Sequence, residues 1–144
     1  MKSFYKFATT IFLIFVLSNV PVFSQDSNEG GVERYAIFAG SNEGGKNNQK
    51  LLYAGSDAIA FQKTMTEVGG ISKTNGILLL DPSKDDLDEA MENISAMIKR
   101  NQAKSKRSEF LFYYSGHSDE NSLLLGKTSY DYSSLKASIS RVPS

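Results

Sequence analysis

Two hydrophobic periods alternate along the chain from residue 34 onward. Tyr35-Ala36-Ile37-Phe38-Ala39 is a nearly unbroken apolar run closed by Gly40, the pattern of a strand covered on both faces. Residues 41–50 are polar and predict a loop. Ser56 is then placed to cap a helix with Ala58, Phe61, Met65 and Val68 at spacings of three and four, and Gly69-Gly70 supplies a left-handed stop. Ile77-Leu78-Leu79-Leu80 predicts a second buried strand, ended by Asp81-Pro82. Ser83 with Asp86 three residues later opens the strongest helical pattern, whose Leu87, Ala90, Met91, Ile94, Met97 and Ile98 form one apolar stripe. The charged run 99–107 reads as a solvated helix end and loop. Phe110-Leu111-Phe112-Tyr113-Tyr114 predicts a third buried strand, Leu123-Leu124-Leu125-Gly126 a shorter one, and Leu135 to Ile139 the start of another helix. Strand, helix, strand, helix, strand implies an α/β fold with a parallel sheet covered on both faces. No segment repeats.

The first 24 residues follow a different rule. Lys2 and Lys6 precede an apolar stretch from Phe7 to Leu17, and Val22-Phe23-Ser24 ends on a small residue before Gln25. This is a secretory signal pattern, predicting export to a periplasmic or extracellular space. Ser18, Asn19 and Pro21 interrupt the stretch, which argues against a stable membrane anchor, since a spanning helix wants about 20 apolar residues. Residues 25–33 are polar and glycine-bearing, as expected of a flexible tether, so residues 34–144 are expected to form the single folded domain.

Composition narrows the chemistry. Charge is balanced over the 144 residues, and beyond Ser24 there are 14 basic against 16 acidic side chains. No nucleic-acid partner is therefore expected. There is no cysteine, which removes disulfides, thiolate metal sites and a cysteine nucleophile from these residues. There is one histidine, His117, in Ser115-Gly116-His117-Ser118-Asp119. That segment follows the third strand, and ligands of parallel sheets gather outside the carboxyl ends of strands.

Three chemistries are conceivable at those ends. Gly40-Ser41-Asn42-Glu43-Gly44-Gly45-Lys46 has the glycine and lysine spacing of a phosphate-binding loop, and Leu80-Asp81 mimics the magnesium-binding aspartate. Asn47 stands where a hydroxyl is needed and no helix pattern starts there, so a glycine-rich surface loop is the better account. His117, Asp119 and Glu120 form a weak metal constellation, because ligands normally come from separated segments; no metal and no cofactor is expected. Asn93-Ile94-Ser95 matches a glycosylation acceptor but falls mid-helix. The third possibility is acid–base work by His117, with a hydrogen-bonded structural histidine as the alternative.

Arg34-Tyr35-Ala36-Ile37-Phe38-Ala39-Gly40, Leu52-Tyr53-Ala54-Gly55-Ser56-Asp57-Ala58, Leu78-Leu79-Leu80-Asp81-Pro82 and Phe110-Leu111-Phe112-Tyr113-Tyr114-Ser115-Gly116-His117 together resemble the large-subunit half of bacterial caspase-like cysteine peptidases, relatives of caspases and metacaspases. The resemblance spans residues 34–144. It implies a three-layer fold with a mostly parallel central sheet flanked by helices, incomplete at its C-terminal side, and endopeptidase chemistry on a protein or peptide substrate. It implies that His117 is the histidine of a cysteine–histidine dyad, with Gly116 beside it for close backbone approach and Ser118 where many relatives have a glycine that contributes an oxyanion amide. It implies that Asp57 lines a pocket for a basic residue; a first-turn aspartate favoured by the helix dipole is the other reading. In that family the cysteine follows the next strand, after a segment like 135–144, so the chain is expected to carry the base of a dyad without its nucleophile. A non-catalytic interaction module is the alternative.

Overall fold

The computed structural model describes residues 31–143 apart from Lys104 and Lys106. The expected leader (residues 1–24) and most of the expected tether lie outside these residues. Three parallel strands form the central sheet: β1 (Val32–Gly40), β2 (Gly76–Leu80) and β3 (Arg107–Ser115), in the order β2-β1-β3. The first strand begins inside the stretch expected to be a tether: Val32 and Glu33 pair with Arg107 and Ser108. Glu33 is held further by Asn75, whose amide donates to it at 3.0 Å.

Side-chain alternation along β1 builds both halves of the core. Tyr35, Ile37 and Ala39 point to one face and Ala36 and Phe38 to the other, all fully buried. Helix α1 (Ala54–Glu67) covers the Phe38 face through Phe61 and Met65. The Phe61 ring lies 4.4 Å from that of Tyr113 and 5.9 Å, edge-on, from that of Phe38. Helix α2 (Lys84–Asn101) covers the opposite face with the predicted stripe of Leu87, Ala90, Met91, Ile94 and Ile98, Met97 being partly buried. The predicted capping box is present: Ser83 Oγ accepts from the Asp86 amide, and the Asp86 carboxylate, held below its usual range by Ser83, accepts from the Ser83 amide. Helices on both faces make three layers.

Beyond β3 the chain leaves the sheet. β4 (His117–Ser118), β5 (Ser122–Leu125) and β6 (Thr128–Asp131) form a small antiparallel sheet, followed by α3 (Tyr132–Ser140). Leu123, Leu125 and Tyr130 join the α2 side of the core. Tyr130 is fully buried, and its hydroxyl bonds Asp88 of α2 at 2.6 Å and Ser138 of α3 at 3.0 Å, which ties the hairpin and both helices together.

The structure departs from the sequence pattern at further points. α1 starts at Ala54, so Ser56 lies in its first turn and its hydroxyl donates back to the Tyr53 carbonyl at 2.8 Å. Val68 is not on the buried stripe but is 81% exposed, because the helix has ended at Glu67. Only Gly70 of the glycine pair has a positive φ, 72°. β2 and β3, both expected to be buried, are only half-buried along Ile77 to Leu79 and Phe110 to Tyr114, with Leu80 exposed, because β1 is the only partner of each among the described residues.

Candidate active site

β2 and β3 flank β1 on opposite sides, and the segments that follow β1 and β3 leave the sheet toward opposite faces. A crevice forms outside the carboxyl ends at such a reversal. The loop after β1 (residues 41–53) and the segment after β3 meet there. Ser41 N–H donates to the Ser115 carbonyl at 2.9 Å and continues the β1–β3 ladder to this edge.

His117 lies just past the carboxyl end of β3, half-buried, and in a strand rather than a loop. It pairs with Leu124 across the small sheet, so its backbone is fixed. Its ring packs against the loop after β1: a Cβ added to Gly44 would overlap the imidazole, so only glycine fits beside it. Its Nε2 lies 2.8 Å from the backbone carbonyl oxygen of Gln49. A carbonyl can only accept, so Nε2 carries a proton and, in the neutral ring, the lone pair lies on Nδ1.

The hydroxyl of Tyr114 donates to the carbonyls of Leu124, at 2.8 Å, and His117, at 3.1 Å, sharing its proton between two strands of the small sheet. Burial pushes this phenol up to about 12. Gly116 makes the arrangement possible: a Cβ there would collide with the Tyr114 phenol. What crowds Gly116 is thus the Tyr114 side chain and not the backbone approach expected there. Ser118 is exposed and pairs with Leu123.

Asp57 sits in the first turn of α1 and accepts a hydrogen bond from Ser115 Oγ at 3.2 Å. A carboxylate is thereby held at the end of β3, two residues before His117. Asp119 is used differently. Its Oδ1 accepts from the amides of Asn121 and Ser122, which hold it below the usual carboxylate range and shape the turn between β4 and β5. Among the described residues no group of three or more acidic or histidine side chains is arranged to hold a metal ion.

The phosphate-loop spacing in residues 40–46 takes another form. No helix follows Lys46, which is exposed, and α1 begins only at Ala54. The loop is closed on itself: Leu51 N–H donates to the Asn42 carbonyl at 2.8 Å, Asn48 Nδ2 to the Gly44 carbonyl at 2.6 Å, and Lys50 pairs with Glu43 at 2.8 Å. Gly126 N–H reaches across from the small sheet to the Glu43 carbonyl at 2.9 Å. The glycines serve packing against His117 and a turn at Gly45, whose φ is 87°.

Gln49 carries no signal in the sequence, because it meets His117 through its backbone, which no side-chain pattern reports. Gly44 falls in the glycine-rich stretch of residues 40–46, whose pattern reads as a surface loop and does not report a contact with His117. Compared with protein-family models, with curated proteins and with solved structures, the chain matches none.

Proposed function

We propose that this chain is the histidine-bearing part of a caspase-like cysteine endopeptidase, exported through the leader pattern of residues 1–24. The observation that carries the reading is the Nε2–H of the lone histidine bound to the Gln49 carbonyl at the carboxyl ends of β1 and β3. That bond leaves Nδ1 as the base. In the reaction Nδ1 takes the proton of a thiol, the thiolate attacks the peptide carbonyl carbon, and the C–N bond breaks as Nδ1 returns the proton to the leaving amine. Water then hydrolyses the thioester. While Nδ1 is protonated, the imidazolium is stabilised by the Nε2–H bond to Gln49, which becomes charge-assisted. The tyrosine, serine, glycine, histidine segment and the parallel order β2-β1-β3 support the family reading. Asp57, anchored by Ser115, supports a preference for arginine or lysine before the scissile bond.

The 144 residues contain no cysteine, so the thiol has to come from other residues. The same fact favours a second reading, a caspase-like module that binds a partner without catalysis. Sequencing the coding region past Ser144 and assaying its complete product separates the two. An apolar strand followed by a cysteine, in frame or after one frameshift, with peptide cleavage lost in His117→Ala, supports the peptidase. A stop codon, or cleavage indifferent to His117→Ala, sinks it.

A further inference from the structure

Asp81 is the only non-glycine residue with a positive φ among those described, at 49°. Asp adopts this region more readily than most residues, yet at some cost, and such outliers persist where surrounding contacts hold them. Here the contacts are specific. The Asp81 N–H donates to the Gly40 carbonyl at 2.7 Å, and Asp81 Oδ1 accepts the backbone N–H of Asn42 at 2.8 Å. Asn42 is where the loop after β1 closes. Its carbonyl takes the Leu51 N–H at 2.8 Å and its side-chain oxygen the Gly55 N–H at 3.4 Å. Between these closing bonds the chain carries Gly44, packed on the His117 ring, and Gln49, whose carbonyl holds Nε2.

We infer that Asp81 is a positioning residue for His117. Its carboxylate fixes Asn42, Asn42 closes the loop, and the closed loop presents the Gln49 carbonyl that sets which imidazole nitrogen carries the proton. The aspartate of Leu80-Asp81 thus acts on the histidine through a backbone amide rather than on a metal. The functional importance of that geometry rests on the reading of His117 as the acid–base group, while the geometry itself is testable without activity.

The chain has one histidine, so a ring N–H signal in a proton–nitrogen spectrum of the whole protein belongs to His117. In the wild type that proton exchanges slowly with water. Asp81→Gly keeps the backbone conformation available and removes the acceptor; exchange then speeds up about tenfold or more, as expected when a hydrogen bond closing a local unit is lost. Asp81→Asn keeps an acceptor oxygen and stays within about threefold of wild type. Unchanged exchange in Asp81→Gly, or an Asn variant as fast as the Gly variant, overturns the inference.

A measurement without variants covers the case in which Asp81→Gly does not fold. In the wild type the amides of Asn42 and Leu51 and the His117 ring N–H open together, with protection within about tenfold of one another. Wider separation contradicts the inference. A wild type lacking any protected ring N–H overturns it as well, and removes the Gln49 bond on which the reading of His117 stands.

Discussion

The hydroxyl of Tyr114 lies 3.1 Å from the backbone carbonyl of His117, three residues further along, and 2.8 Å from that of Leu124. The last strand of the parallel sheet thereby holds the two paired strands that carry the histidine. The phenol fits only because residue 116 has no side chain.

Tyr114→Phe leaves two carbonyls without this donor and costs about 1–2 kcal/mol in urea unfolding. Gly116→Ala pushes the same phenol away, so the double variant loses less than the two single losses added together. Full additivity would show that Gly116 does not act through Tyr114.

The phenol also gives a pH signature. Burial raises its folded pKa to about 12, above the ordinary value of about 10. Between those values the unfolded chain gives up the tyrosine proton first, so this contribution is complete below pH ~10 and fades as pH rises toward ~12. The stability difference between wild type and Tyr114→Phe should shrink across that interval. A constant difference contradicts the assignment.

Gly44→Ala places a methyl where the imidazole now lies. Relief requires the ring or the loop to move, at about 1–3 kcal/mol. The protected ring N–H of His117 should disappear while the amide signals of α2 stay in place. A variant of wild-type stability with the ring proton retained would show that the contact is not tight.

Ile94 is fully buried under the Tyr35 face, and Val68 is almost fully exposed past the end of α1. Ile94→Ala is expected to cost about 2–5 kcal/mol, and Val68→Ala to stay within about 0.5 kcal/mol. Calorimetry or urea titration of both checks the packing assignment directly.

The 144-residue chain should not cleave fluorogenic peptides, with or without His117→Ala, because it has no thiol to activate. Cleavage that vanishes in His117→Ala would require a different nucleophile.

The parts of the fold that could be read from the sequence are those where local chemistry and burial agree. Strand β1 is apolar on both faces because helices cover both, and α2 combines a capping box with an unbroken stripe. The start of α1 is not legible because Ala54 enters the helix without a side-chain cap, while Ser56, a residue type that favours caps, bonds backward to the Tyr53 carbonyl. The short strands around His117 have no period long enough to detect; their pairing is enforced by Tyr114 and by the turn around Asp119. His117 stands out in the sequence as the lone histidine after a strand. Its partner Gln49 is 68 positions away and contributes only a backbone oxygen, so only the folded loop reveals it.

The central claim is that His117 is held as a base with its lone pair on Nδ1. Long-range proton–nitrogen correlation of the ring, recorded on the neutral imidazole, measures this directly because one histidine gives one pattern. Nε2 should appear as the protonated nitrogen and Nδ1 as the unprotonated one, in a single tautomer that blurs in Gly44→Ala. A proton on Nδ1, or a freely interconverting mixture in the wild type, would contradict the account.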